Sequence, residues 1–396
     1  MDKKKIYISM GVIAVAFLSV LAITVVDFKA SVATAAEKTY NGTLYISSMG
    51  GFMVKADVAI DPTKEQPIQL TKDLTRQFLM ENQDIAISKK YYATHDPRID
   101  HERNMMFWSA YFMDDRDPAN KVVHAGKIDL VTGKILADIK IPTDPRQKAA
   151  IQYCASGQTK DKYLIVLMGY ESWIDIIDKD TMKHEKRVFF DPLHEKEGLP
   201  KGYLWTHGIN SPDMKEFALW MTLTDEGGKF PRGEETRQMI FILDMKSLLN
   251  GKIKVLRKGT ITSDPRRSAF FRGNYTADGK YILTSNRDRT EVFDAETLKQ
   301  VGTIMNPMGW ENHDAFPTPD GKYMILTQRV PVDNLPGQEP PKVMDGMIEL
   351  IDLSTMKRIG KPTSVCMSCH KGSQALPWAQ KYVPAVTCGI DGVWKK

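Results

Sequence analysis

Cysteine is scarce in this chain. Four occur in 396 residues, at positions 154, 366, 369 and 388. That is too few for a disulfide scaffold, so the fold has to rest on a buried apolar core. Runs of one charge sign are equally scarce. No basic run exceeds Lys3-Lys4-Lys5, lysine and arginine are interleaved with aspartate and glutamate, and the net charge is +5. This pattern gives no footing to a nucleic-acid partner. The composition of a disordered chain is also missing. Hydrophobic residues make up 42% and charged residues 26%, the proportions of a folded globular protein.

What is present begins at the N-terminus. After the three lysines, Ile6 to Val26 runs 21 residues without a charge, about 30 Å of helix and enough to cross a bilayer core. Lysines before such a segment hold the N-terminus in the cytoplasm and send the rest of the chain outside. The alternative is a cleaved signal peptide, for which Ala33-Thr34-Ala35 and Thr34-Ala35-Ala36 are small-residue cleavage sites. The length of the run, and the charges at Asp27 and Lys29 between it and those sites, favour a retained anchor. Residues 1–36 are read as cytoplasmic lysines, transmembrane anchor (6–26) and linker. The expected location is the cell inner membrane, single-pass, with the bulk of the chain on the periplasmic side.

From 37 to 362 one pattern recurs. A Pro/Asp/Gly turn precedes an apolar run, a second run ends in aspartate, and a polar turn with Thr, Leu or Met leads to a third. Residues 276–304, TADGKYILTSNRDRTEVFDAETLKQVGTI, show it best, and residues 318–360 repeat it around an insertion. The Asp-Gly pairs at 278–279 and 320–321 are hairpin signals. The aspartate closing the second run falls at 61, 129, 178, 244, 294 and 352, with gaps of 68, 49, 66, 50 and 58 residues. A unit of three or four short strands cannot bury both its faces alone, so neighbours must stack around a ring. The expected class is all-β, a β-propeller of six to seven blades, with eight less favoured and the two long gaps able to hide a seventh. The pieces PDGKYMILT, ADGKYILTSN and VFDAETLKQVG resemble the YVTN/quinoprotein-like propellers, a resemblance that speaks to fold more than to activity.

Residues 366–370 read Cys-Met-Ser-Cys-His, the C-x-x-C-H spacing of c-type haem attachment. Two thiols three positions apart on one turn reach the vinyl groups on adjacent porphyrin edges, and the next residue lies under the iron. A zinc site would need a second ligand pair, and a thioredoxin-like motif a βαβ context. Neither is found in the sequence. One covalent haem c is therefore expected on Cys366 and Cys369, with His370 as axial ligand, in an attachment tail spanning 363–396. The likeness to c-type cytochromes is confined to this motif. The 26 residues after His370 contain no Met and no His, so the second axial ligand has to come from the propeller or a partner, or the iron is open.

Two histidines stand out as candidate second ligands or channel residues. His207 in WTHGINSPD and His313 in NHDAFPTPD hold the same place in their repeats, just before the turn into an apolar strand, near the mouth of a central channel. The two remaining cysteines, Cys154 and Cys388, are expected to pair in an oxidising compartment.

These features imply a membrane-anchored c-type cytochrome that relays electrons between a membrane quinol-linked partner and a periplasmic redox enzyme. The alternative is an oxidoreductase with a second cofactor or substrate in the channel. RGNYTADGKYILTSN (272–286) resembles a segment of the d1-haem domain of cytochrome-type nitrite reductases, whose channel histidines serve the d1 haem. Here Phe271 or Arg272 stands where such a histidine is expected, and the haem motif follows the propeller instead of preceding it.

Overall fold

The computed structural model describes residues 39–48, 53–73, 94–110, 121–146, 153–169, 171–226, 236–263, 270–331, 344–365 and 387–395, excepting the side chains of 48, 73, 94, 95, 154–156, 236, 262, 263, 331, 344 and 345. Residues 1–38 lie outside them. The expected anchor at 6–26 therefore lies outside the described residues, as do Cys366, Cys369 and His370.

Six four-stranded antiparallel sheets make up the rest. Blade 1 contains β1 (Tyr40–Ser48), β2 (Met53–Ile60) and β3 (Ile68–Asp73). Blade 2 runs through β4 (Thr94–Asp100), β5 (Met105–Ala110), β6 (Val122–Asp129) and β7 (Ile135–Pro142). Blade 3 holds β8 (Tyr153–Gln158), β9 (Lys162–Leu167), β10 (Trp173–Asp178) and β11 (His184–Phe189), followed by the short helix α1 (Asp191–Lys196). Blade 4 comprises β12 (Tyr203–Asn210), β13 (Glu216–Leu223) and β14 (Thr236–Asp244), then α2 (Met245–Leu249) and β15 (Val255–Ser263). In blade 5 are β16 (Gly273–Tyr275), β17 (Tyr281–Ser285), β18 (Arg289–Asp294) and β19 (Gln300–Met305). Blade 6 has β20 (Glu311–Pro317), β21 (Tyr323–Pro331), β22 (Met344–Asp352) and β23 (Lys357–Ser364). The last strand, β24 (Thr387–Trp394), returns to blade 1 and pairs with β1.

The propeller thus has six blades, and β24 closes the ring. Of the expected tail 363–396, residues 387–394 are the innermost strand of the first blade. Gly42 permits this closure, because a Cβ there would stand 2.6 Å from the Val393 carbonyl oxygen.

Burial explains the sequence pattern. Middle strands are packed on both faces by neighbouring blades, so they read as unbroken apolar runs: KYLIVL in β9 and EFALWMTL in β13 are buried almost throughout. Outer strands alternate, as ILADIKIP does in β7, because one face meets water. One hydrophobic cluster fills each of the six gaps between neighbouring blades, from Tyr45, Met106 and Trp108 between blades 1 and 2 round to Ile46, Ile325 and Ile390 between 6 and 1.

The repeated aspartates are turn residues between the third and fourth strands of each sheet. Asp129, Asp178 and Asp294 each accept hydrogen bonds from the main-chain N–H and hydroxyl of a threonine three positions on, at 2.7–3.0 Å. Asp61, Asp244 and Asp352 do the same with nearby Thr or Ser groups. These bonds hold the carboxyls of Asp61, Asp129, Asp244 and Asp294 below their ordinary value. The count of six aspartates is the blade count. The long gaps in the sequence hold the connection 74–93, and the α1 and 224–235 segments, instead of a seventh blade.

Candidate channel site

The innermost strands β4, β8, β12, β16, β20 and β24 all begin at one end of the ring, and all begin irregularly. The ladder slips between Thr94 and Asp96, Tyr153 and Ala155, Leu204 and His207, Asn312 and Asp314, and at Thr387–Ile390. In blade 5, Phe271 and Arg272 share Ser285 as partner. The residues at these slips are His95, Cys154, Trp205 and Thr206, Phe271, His313 and Cys388. Trp205 pays locally for its position with φ of 52°, a left-handed conformation rare for a bulky residue.

The structure brings His207 and His313 together around one ring. Phe271 stacks on His313 with centroids 5.0 Å apart and meets His207 edge-on at 6.4 Å and Trp205 at 5.8 Å. The Arg329 guanidinium lies 5.6 Å from the same ring. Both histidines are buried, at 0% and 3% exposure. His207 Nδ1–H donates to the Trp205 carbonyl at 2.7 Å. Burial pushes its pKa down to about 3, with the nearby Arg272 cation acting the same way, so the ring is neutral at physiological pH. Arg329 also donates to the Thr387 carbonyl at 2.9 Å and to Cys388 Sγ at 3.5 Å. Burial pushes the Cys388 thiol up to about 11, against the pull of Arg329, so this sulfur stays protonated near neutral pH. Cys154 is the second residue of β8, the innermost strand of blade 3, but its side chain lies outside the described residues, and so does the expected pairing with Cys388.

Next along these inner strands lies a cluster of buried charges. Arg272 bonds to Asp314 at 2.8 Å and to Asp96, and Arg98 lies 3.5 Å from Asp96. Asp314 also accepts from the Ile390 N–H. Two cations and two carboxylates from three inner strands balance one another, which makes their burial tolerable. Beyond them, at the far end of the channel, a cavity of about 210 Å3 is lined by Arg98, Gln158, Asn210, Asn274 and Asp391 among others.

Sequence reasoning singled out His207, His313, Phe271 and Arg272 but missed Trp205, Asp96, Arg98, Asp314 and Arg329. A signal existed for two of these: His95-Asp96 and His313-Asp314 are matching pairs, each at the head of an inner strand. Other histidines serve the blades themselves. His124 pairs with Asp138, and His184 joins Arg187 and Trp173 around the buried Asp175. Among the described residues no cluster of three or more His, Cys, Asp or Glu is arranged to hold a metal ion. No helix among them is long and apolar enough to cross a membrane.

No family model matches the chain, and no curated protein matches it. Solved structures do. Hydrazine synthase of Kuenenia stuttgartiensis aligns with a TM-score of 0.42 and 15% identity, over 70% of this chain and 67% of that one. The periplasmic gluconolactonase PpgL of Pseudomonas aeruginosa aligns at 0.47 and 10% identity, over 90% and 99%. The β-propeller domain of Cps50 (Swd1) from Myceliophteria thermophila aligns at 0.36 and 12%, over 69% and 86%. At these scores the likenesses carry nothing about activity.

Proposed function

We propose that this protein is an exported, membrane-tethered electron-transfer subunit, a six-bladed propeller bearing one covalent haem c on Cys366 and Cys369 with His370 as axial ligand. It relays electrons between a membrane quinol-linked partner and a redox enzyme outside the cytoplasm. The observation that carries this reading is the Cys366-Met367-Ser368-Cys369-His370 motif, whose donor set of two spaced thiols and an adjacent imidazole fits haem attachment. When bound, the haem supplies one-electron exchange at its iron. The apolar run 6–26 supplies the tether, with the lysines before it setting the orientation.

Chain connectivity supports the reading. β23 ends at Ser364 and β24 begins at Thr387, and Ser364 shares a row across blade 6 with Met347, Gln328 and Asn312, next to His313. The segment carrying the motif leaves and re-enters the propeller at the end that holds the histidines and Phe271. His370 is five positions on from Val365, at most about 18 Å of chain. His207 and His313 pack against Phe271 at that end, buried at 0% and 3% exposure, and are the candidate second ligands or channel residues. A second channel cofactor has less support, because both histidines are already packed against Phe271, with the Arg329 guanidinium 5.6 Å from the same ring, and the charges of the Arg272 cluster are buried and paired with one another.

The test is the absorption spectrum of protein purified from membranes, with Cys366→Ser and Cys369→Ser beside it. The expected result is a single c-type chromophore, with covalent haem staining on denaturing gels weakened or lost in each variant. A second chromophore favours the enzyme. Full staining in both variants removes the haem assignment.

A further inference from the structure

We propose that the groove between blades 4 and 5, at the end of the ring opposite the bulges, docks a basic peptide segment of a partner protein. The groove encloses about 650 Å3 and is walled by the turns 211–215, 277–280 and 294–296, a volume in the range of built binding sites. Its inner end adjoins the channel cavity, since Pro212, Tyr275 and Ala277 line both.

Two buried donors on its floor find no acceptor in the protein. Tyr275 is 3% exposed, yet its hydroxyl has no hydrogen-bond partner, and neither does the buried Nε–H of Arg257. A buried donor left without a partner destabilises the fold, so two lining one groove mark a place where an oxygen from elsewhere belongs. The charge of Arg257 is already matched by Glu216, whose carboxylate lies 2.6 Å from its Nη2. The floor therefore suits a neutral carbonyl oxygen better than a carboxylate or phosphate. The lining as a whole carries five carboxylates against three cations, with Glu296 exposed at the outer end. An oxygen acceptor inside and a cation outside is the chemistry of a lysine or arginine residue in a peptide, its main-chain carbonyl on Tyr275 and Arg257 and its side chain toward the acidic rim. The site needs nothing from the haem segment.

Calorimetric titration of the purified full chain with acetyl-Gly-Lys-Gly-Lys-Gly-amide tests this, with the glutamate counterpart and lysinamide as comparisons. The lysine peptide is expected to bind, more tightly at low salt, while the glutamate peptide does not. Tyr275→Phe is expected to weaken the lysine peptide about three- to tenfold without lowering Tm, because it removes a hydroxyl the fold does not use. Equal binding of the two peptides, binding untouched by Tyr275→Phe, or no binding up to about 1 mM overturns the proposal. A fall in Tm for Tyr275→Phe also overturns it, by showing that the hydroxyl serves the fold. Lysinamide binding as tightly as the peptide replaces the peptide with a small organic cation.

Discussion

At the turn end of the propeller the same few local devices recur from blade to blade, whereas at the connection end the described contacts are long-range and differ between blades. Ser211, Thr276 and Thr318 each donate to an aspartate two residues on and accept from the N–H five residues on. The six third-strand aspartates repeat a second such device. Each bond is local, so each is written in a short stretch of sequence and can be copied. The connection end instead carries long links such as 74–93 and 365–386, the slipped ladders and the buried rings. Its contacts join residues from different blades, as when Arg272 reaches Asp96 and Asp314. Repetition at one end frees the other to vary, and the variable end is where a site can be built.

Breaking the charge cluster should produce the largest effect, because its partners come from different blades and all four groups are buried. Arg272→Met leaves Asp96 and Asp314 buried with one cation between them and is expected to cost about 3–5 kcal/mol. Urea unfolding measures it, and a loss under about 1 kcal/mol would mean that the ring does not depend on its centre.

The two ends should also part company in pH. His207 has a folded pKa of about 3, below that of the unfolded chain near 6.5. The unfolded state therefore binds the extra proton, and stability falls as pH drops below about 6.5, by up to about 1.4 kcal/mol per unit. His207→Gln should flatten urea midpoints between pH 6.5 and 4.5. The turn aspartates, whose carboxyls are held low, keep their contribution until the pH falls below their ordinary value near 3.8. An unchanged slope in His207→Gln would assign the acid sensitivity elsewhere.

The contrast also explains what was legible in advance. The Asp-Gly turns and the aspartate series depend on neighbours in sequence, so the propeller could be read directly from them. Blade number could not, because 68- and 66-residue gaps look the same whether they hold a blade or a long link. Strand β24 gave no signal either. TCGIDGVW has two glycines and little alternation, and its partner β1 lies more than 340 residues away. The matched placement of His207 and His313 was visible as repeat position. The slip that carries each one is a property of pairing register, which a single strand does not record.

A smaller effect is expected from one copy of the repeated device. Asp352→Ala removes the bonds to Ser354 and Thr355 and should cost about 1 kcal/mol, a shift of a few degrees or less in Tm. A loss as large as that of Arg272→Met would erase the distinction between the ends. Cys366→Ser should have the least effect on the propeller, leaving Tm within the scatter of surface substitutions, about 0.5 kcal/mol. A large fall would tie the motif segment into the core.

The intact mass of the exported protein under denaturing conditions bears most directly on the central claim. The expected value is that of the polypeptide plus one haem, with the addition surviving denaturation and missing from a chain with both Cys366→Ser and Cys369→Ser. A denatured mass equal to the bare polypeptide, from cells that mature other c-type cytochromes, would contradict it.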